Sequence, residues 1–124
     1  MRVVRVIADL QVNDLEATRE FYGGFLGLTE QEFNLGWVAR YTSPETGAMV
    51  QVITHDVAAS ENPVISVQTP DIDSAYEEAQ HLGLDIVYPL TTEPWGVRRF
   101  FVRAPDGNVI NVVRHREPSD SLGS

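Results

Sequence analysis

The segments DLEATREFYGGFLGL (residues 14–28) and DIDSAYEEAQHLGL (residues 71–84) decide the fold, because they are two versions of one pattern. Each opens with an acidic residue, continues through small and apolar residues and closes with Leu-Gly-Leu. Farther along the chain, TGAMVQVITH (residues 46–55) matches DGNVINVVRH (residues 106–115) in the same way. Because a repeated segment marks a repeated structural unit, the sequence predicts two tandem copies of one module.

Each half of the repeat predicts the same order of elements: one strand, one helix of about 12 residues and three further strands. Asp14 and Asp71 are suited to capping the first helical turn, and Gly27 and Gly83 to the left-handed position after the last turn. Alternation of apolar and polar residues predicts the strands. These are approximately residues 2–12, 29–34, 36–42 and 48–55 in the first half, and 63–69, 84–88, 97–103 and 108–115 in the second.

The predicted architecture is an α+β fold of two βαβββ modules, residues 1–55 and 63–115, joined by a linker at 56–62. Each module alone would leave one sheet face uncovered, so we expect a single domain over residues 1–115. In this domain a curved mixed sheet surrounds a cleft, and the helices lie on the outer face. Residues 116–124 lack apolar periodicity, and we expect them to be disordered.

The composition is that of an ordinary globular domain, and it excludes several functional classes. The 124 residues (13.8 kDa) include no cysteine, which excludes disulfide scaffolds, thiolate metal sites and cysteine nucleophiles. Nine basic against eighteen acidic residues give a formal net charge of −9, which disfavours nucleic-acid and anionic-membrane partners. No apolar run is long enough for a signal peptide or a membrane span, so we expect a soluble, cytoplasmic protein.

The motifs of the two halves resemble those of the vicinal oxygen chelate superfamily, which includes glyoxalases, bleomycin-resistance proteins and extradiol dioxygenases. The resemblance covers about residues 3–115 and implies the fold predicted above. Because this fold hosts several unrelated functions, the function has to be argued from the site. The residues that carry the resemblance are Val12-x-Asp14-Leu15, Phe21-Tyr22 and Leu26-Gly27 in the first half, and Pro105-Asp106-Gly107-Asn108 in the second.

The resemblance also implies one divalent metal, held in the cleft by one side chain from the first and one from the last strand of each half. The matching positions are Ile7 and Val64 in the first strands, and Gln51 and Asn111 in the last strands. Two hydrocarbons and two neutral amides cannot offset the dehydration of a divalent cation. We therefore predict no metal at this position and no cofactor.

The histidines offer an alternative metal site. His55 and His115 are equivalent in the repeat, and each lies four residues beyond the amide of its half. They could form a displaced metal-binding pair. The other interpretation is that each marks the polar end of a strand. His81, at the end of the second helix, is expected to be structural.

Strand parity extends the predicted cleft wall, because residues two apart on a strand share a face. In the first strands, parity places Asp9, Gln11, Ser66 and Gln68 inward and turns Ala8, Leu10, Ile65 and Val67 toward the helices. In the hairpin strands, it places Trp37, Ala39, Tyr41, Arg99 and Phe101 inward. Trp95, beside Gly96, could close over a ligand or cover the end of the core. The candidate ligand-binding residues are Asp9, Gln11, Trp37, Tyr41, Gln51, Gln68, Trp95, Arg99, Phe101 and Asn111.

Aromatic rings with a few polar groups describe a pocket for a flat, partly polar organic molecule. We therefore expect a metal-free binding protein, similar to the bleomycin-resistance branch of the superfamily, that sequesters an aromatic or cationic compound. The resemblance also implies a homodimer. Two alternatives stay open. One is a lyase, isomerase or dioxygenase with atypical metal ligands or with Asp9 as a general base. The other is a non-catalytic partner domain whose cleft is filled by its own side chains.

Overall fold

Each half of the chain folds as one strand, one helical segment and three strands in the computed structural model, which describes residues 1–115. The first half contains β1 (Arg5–Gln11), α1 (Leu15–Thr18) with a π-helical continuation (Arg19–Phe25), β2 (Glu30–Asn34), β3 (Val38–Thr42) and β4 (Met49–Ile53). The second half contains β5 (Ile65–Gln68), α2 (Ile72–His81), β6 (Asp85–Thr92), β7 (Val97–Arg103) and β8 (Val109–His115). The fold is α+β with two βαβββ modules, as the repeat predicts.

The chain divides into two compact units. The first unit is Ile7–Val64, and the second is Met1–Val6 together with the described residues from Ile65 onward. In the first unit the strand order is β2-β3-β4-β1, with β1 parallel to β4 and the other neighbours antiparallel. In the second unit the order β5-β8-β7-β6 repeats this arrangement, with β5 parallel to β8. Each unit therefore contains a mixed sheet.

The core of the first unit forms where α1 covers β3 and β4. Leu15 packs with Ala39, Tyr41 and Val52, and the Tyr41 ring stacks on Tyr22 with centroids 6.4 Å apart. The prediction that Ala39 and Tyr41 face the cleft is therefore wrong, because both side chains belong to the helix-facing core.

Loop length explains this error. β3 and β4 are separated by six residues (43–48), so Arg40, not an odd-numbered neighbour, lies opposite Gln51. β7 and β8 are separated by five residues (104–108), so Phe101 lies opposite Asn111, as predicted. Across a loop with an even number of residues, an odd-numbered residue pairs with an even-numbered one. Across a loop with an odd number of residues, the paired residues are both odd-numbered or both even-numbered. The same parity rule therefore cannot apply to both hairpins.

The core of the second unit forms where α2 packs on β7 and β8. The apolar residues of α2 recur at helical spacing and contact side chains of these strands. The rings of Tyr76 and Phe100 meet edge to face, with centroids 5.0 Å apart. The buried residues of this core are Ile72, Ala75, Ala79, Phe100 and Val112.

The helices are shorter than the predicted 12 residues, and the first is irregular. α1 has 4 residues and continues as a π-helical segment of 7 residues that contains Gly23 and Gly24. Paired glycines are poor α-helix formers, which is consistent with the widened turns. α2 has 10 residues. The left-handed glycines after both helices are confirmed, with φ of +77° at Gly27 and +69° at Gly83.

The two helix starts differ, although the sequence predicts the same cap for both. Asp14 caps α1, because its Oδ1 accepts a hydrogen bond from the backbone N–H of Glu16 at 2.9 Å. Asp71 makes no such bond to α2. Its Oδ2 instead accepts from the backbone N–H of Arg2 at 3.0 Å. The capping role predicted for Asp71 is therefore wrong.

Strand β1 buries one face only. Ile7 and Asp9 are buried, whereas Val6, Ala8 and Leu10 are exposed. Leu10 lies opposite Val52 of the helix-facing core, so Leu10 and Ala8 are on the helix side of the sheet, as predicted, but they stay exposed because α1 covers β3 and β4 rather than β1.

The predicted linker at 56–62 is an ordered turn. Its Asp56 N–H donates to Asn62 Oδ1 at 2.7 Å, and Asp56 Oδ1 accepts from the backbone N–H groups of Ala58 and Ala59. The tail predicted to be disordered, 116–124, lies outside the described residues. No helix within residues 1–115 combines the length and the apolarity needed to cross a bilayer.

The difference between the helix starts gives a first prediction. Asp14→Ala should lower the free energy of unfolding by about 1 kcal/mol, because it removes a side-chain cap. Asp71→Ala, at the equivalent position of the repeat, should cost clearly less, because α2 loses no cap. Urea denaturation of the two variants beside the parent chain measures both values. Equal losses would contradict the assignment of the cap to Asp14 alone.

Candidate functional site

The pairing of β1, β4 and β3 brings polar side chains together on one face of the first unit. Gln51 lies opposite Asp9 on β1 and opposite Arg40 on β3. Residues directly opposite one another in adjacent strands share a sheet face, so all three side chains project to the same side. All three are buried.

These side chains form a continuous hydrogen-bonded chain, which we call the Arg40 network (Asp9, Glu32, Arg40, Thr42 and Gln51). Gln51 Nε2 donates to Asp9 Oδ1 at 2.7 Å, and Gln51 Oε1 accepts from Arg40 Nε at 3.2 Å and Nη2 at 3.1 Å. Arg40 Nη1 donates to Glu32 Oε2 at 3.3 Å, and Thr42 donates to Glu32 Oε1 at 2.7 Å. Because the guanidinium fixes the oxygen of Gln51, it also turns the amide N–H₂ group toward Asp9.

The Arg40 network does not fit the divalent metal that the family resemblance implies. Gln51 could offer a metal only its Oε1 atom, and a positively charged guanidinium already donates two hydrogen bonds to that atom. Ile7 and Val64, the other family positions within this unit, are hydrocarbons that offer a metal no ligand atom. Among residues 1–115, no group of three or more histidine, cysteine, aspartate or glutamate side chains could hold a metal ion. The donor atoms of these residues therefore do not suit a divalent metal ion.

The second unit carries the equivalent amide in a different setting. Asn111 lies opposite Ser66 on β5 and opposite Phe101 on β7. Its Nδ2 donates to Ser66 Oγ at 3.0 Å, whereas no group in the described part of the chain, residues 1–115, donates a hydrogen bond to its buried Oδ1. The residue opposite the amide is thus a guanidinium in the first unit and a phenyl ring in the second.

Beside Asn111 lies a group that we call the Arg99 cluster (Tyr88, Glu93, Trp95, Arg99 and Phe101). Arg99 Nε donates to Glu93 Oε2 at 2.7 Å, and the same oxygen accepts from the Tyr88 hydroxyl at 3.0 Å. The two charged side chains are about as buried as a core residue, with 4% and 5% of their surface exposed. The guanidinium also lies over three rings, with its carbon 5.2 Å from the centroid of Tyr88, 5.1 Å from Trp95 and 4.9 Å from Phe101.

Alternation along β7 separates this buried pair from a surface pair. Arg98, the preceding residue, faces α2 and donates hydrogen bonds to Asp73 Oδ1 at 2.7 and 3.1 Å. These bonds lower the pKa of Asp73 below its ordinary value. Because both of these side chains are far more exposed than the Arg99–Glu93 pair, they contribute little to stability.

The structure separates the predicted ligand-binding residues into three groups. Asp9 and Gln51 meet in the Arg40 network, and Trp95, Arg99 and Phe101 meet in the Arg99 cluster beside Asn111. Four others lie elsewhere. Tyr41 is in the helix-facing core, Trp37 precedes β3, and Gln11 is exposed and accepts from Asn62 Nδ2 at 3.1 Å. Gln68 is half-buried on β5.

The sequence did not point to five members of these groups: Glu32, Arg40, Thr42, Tyr88 and Glu93. Arg40 could have been found by counting residues outward from the turn at 43–48, which pairs it with Gln51. Nothing in the sequence near Tyr88 or Glu93 indicates that they contact Arg99, because β-bulges interrupt the pairing of β6 with β7.

The histidines do not support a strand-borne metal pair of the predicted kind. His55 is exposed and follows the end of β4, so the face that was predicted from strand parity does not apply to it. His115 is the last residue of β8, opposite Val97.

The buried pair in the Arg99 cluster gives a second prediction. Arg99→Met should lower the free energy of unfolding by about 3–5 kcal/mol, because it leaves the Glu93 carboxylate buried without its cation. The double variant Arg99→Met with Glu93→Leu should recover part of this loss. Arg103→Met is the matched control. It breaks the exposed pair with Asp85 and should cost less than about 1 kcal/mol. Equal losses for Arg99→Met and Arg103→Met in urea denaturation would contradict the buried pair.

Comparisons with known proteins support the fold. The family model described as the glyoxalase/bleomycin resistance protein/dioxygenase superfamily matches residues 3–112. No curated protein sequence matches the chain. Similar solved structures include a methylmalonyl-CoA epimerase from Mycobacterium tuberculosis, with a TM-score of 0.71 and 20% identity over 97% of this chain and 93% of that chain.

Two further solved structures share the fold at low identity. One is described as an NAD-dependent benzaldehyde dehydrogenase from Legionella pneumophila, with a TM-score of 0.70 and 14% identity over 90% of this chain and 100% of that chain. The other is a glyoxalase/bleomycin resistance protein/dioxygenase superfamily member from Vibrio splendidus 12B01. Its TM-score is 0.66, with 19% identity over 89% of this chain and 97% of that chain. At such identities these structures show the fold alone. Because the family model spans most of the sequence, the chain belongs to the glyoxalase/bleomycin resistance protein/dioxygenase superfamily.

Proposed function

We propose that this chain is a metal-free small-molecule-binding protein that sequesters a flat aromatic compound, and preferably a cationic one. The observation that carries the proposal is the Arg99 cluster, in which three rings are held around one buried guanidinium. Phe101 is fully buried and supports the cluster from within, whereas the half-buried rings of Tyr88 and Trp95 offer stacking surface without a large loss of side-chain entropy on binding. Trp95 is the most favourable stacking surface, because it is half-buried and lies on the turn between β6 and β7.

The charges of the chain support a cationic ligand. The net charge of −9 attracts cations at long range. We also propose a role in antibiotic resistance, because an aromatic cation is the type of compound that a drug-sequestering member of this superfamily would bind.

We further propose that the protein is a cytoplasmic homodimer. Exposed apolar side chains support the dimer, because large apolar groups left in contact with water favour association. Phe21 and Phe25 are 52% and 78% exposed and stack on each other with centroids 5.5 Å apart. Leu26 and Val6 are exposed as well.

One observation supports an enzymatic alternative, in which Asp9 acts as a general base without a metal. Asp9 is a buried carboxylate on the same sheet face as Gln51 and Arg40. A positioned carboxylate of this kind could accept a proton from a bound substrate. The Gln51 amide that donates to Asp9 Oδ1 occupies part of its accepting capacity, which favours a structural role over a catalytic one.

A third prediction tests the aromatic site. The chain has two tryptophans, Trp37 and Trp95, so Trp37→Phe leaves Trp95 as the only indole. Benzamidinium should quench the fluorescence of this variant in a saturable manner and more strongly than uncharged benzamide, which has a similar shape and also carries N–H donors. Trp95→Phe, which keeps Trp37, is the matched control and should not respond. A response from Trp37 alone, or no response to a broad panel of aromatic compounds, would contradict the proposed site.

A fourth prediction concerns the metal. Protein purified without chelators should contain far less than about one zinc, nickel, iron or manganese ion per chain, because no donor set in the two units suits a divalent cation. Elemental analysis of the protein measures this ratio. A value near one ion per chain that falls in Asn111→Ala would show a metal site and favour the enzymatic alternative.

A further inference from the structure

Asn111 Oδ1 is a buried hydrogen-bond acceptor with no hydrogen-bond partner within the described residues. The side chain is held in place from its other end, because Nδ2 donates to Ser66 Oγ at 3.0 Å. Only 7% of the surface of Asn111 is exposed, so bulk water does not solvate the oxygen freely. An acceptor left in this state is unfavourable, and native structures rarely keep one without a purpose.

Comparison of the two units shows why the acceptor lacks a donor. Gln51 and Asn111 occupy the same position of the repeat, and each lies opposite one residue of the neighbouring antiparallel strand. In the first unit that residue is Arg40, whose guanidinium donates two hydrogen bonds to the amide oxygen. In the second unit it is Phe101, which has no N–H or O–H group to donate.

We propose that Asn111 Oδ1 is the anchor for a hydrogen-bond donor of the ligand, so that the protein selects aromatic compounds carrying an N–H or O–H group. This inference rests on the proposed function and specifies its ligand. An oxygen of an amide has only lone pairs to offer, so it attracts a donor and repels a carboxylate or a carbonyl group. Phe101, directly opposite Asn111, is fully buried, so the half-buried ring of Trp95, which lies at the same guanidinium as Phe101, would contact the flat part of the same molecule.

Indole and benzofuran provide a matched pair of probes, because they have the same shape and differ in an N–H group against an ether oxygen. Titration of the ¹⁵N-labelled protein, followed by the side-chain amide resonances of Asn111 and the indole resonance of Trp95, measures both affinities. Indole should bind about tenfold more tightly than benzofuran, the ratio expected for one hydrogen bond to a buried acceptor. The Asn111 resonances should shift with indole.

Two variants separate the anchor from a general effect on folding. Asn111→Leu removes the acceptor, so it should abolish the preference for indole and leave the affinity for benzofuran within about twofold. Asn111→Asp keeps an acceptor at the same place and should retain the preference. Gln51→Leu, at the equivalent repeat position, is the stability control. It should lower the urea midpoint of unfolding more than Asn111→Leu does, because it removes the hydrogen bonds that Gln51 makes with Asp9 and Arg40.

The outcomes distinguish the anchor from the proposed function. Binding of neither probe to the parent chain would overturn the proposed function and the anchor together. Equal binding of both probes would overturn the anchor alone, as expected if an ordered water satisfies Oδ1. A preference for benzofuran, or a preference for indole that survives in Asn111→Leu, would also overturn it.

Discussion

The guanidinium of Arg40 donates two hydrogen bonds to the side-chain oxygen of Gln51, and the chemistry of the first unit depends on this contact. The contact directs the amide N–H₂ group toward Asp9, so one carboxylate is held in place by a neutral group. It also places a fixed positive charge beside Gln51 Oε1, at one of the positions where the family resemblance implies a metal ligand. A cation cannot share that oxygen with a guanidinium at low cost, because like charges repel strongly when both are buried.

The second unit has the same strand arrangement as the first, but its buried arginine occupies a different position. Its arginine, Arg99, lies two residues before Phe101 on β7, opposite Val113, where it binds Glu93 and lies over three rings. Phe101 then lies opposite the amide, and the oxygen of Asn111 has no hydrogen-bond donor among residues 1–115. The two units therefore share one backbone plan but differ in chemistry. One holds a satisfied polar network, and the other combines aromatic surface with an unsatisfied acceptor.

Much of the fold could be predicted from the sequence because it depends on local signals. The repeat, the acidic residues before the helices, the glycines after them and the alternation in the strands located both modules and most of the strands. The site was predicted less well. Asp9, Gln51, Arg99, Phe101 and Asn111 were identified, because their strands pair as expected, but Tyr41 was placed on the wrong face and Arg40 was missed.

The sequence by itself determined the two βαβββ modules and the absence of anionic side chains at the four family metal positions, since both follow from residue type and spacing. The tertiary structure alone decided which side chains meet. The loop at 43–48 has one residue more than the loop at 104–108, and this difference changes which side chains of the neighbouring strand lie opposite the amide. Arg40 therefore lies opposite Gln51 in one unit, and Phe101 lies opposite Asn111 in the other. Register is a property of paired strands rather than of either strand alone, because it is fixed by the loop and by packing on the helix.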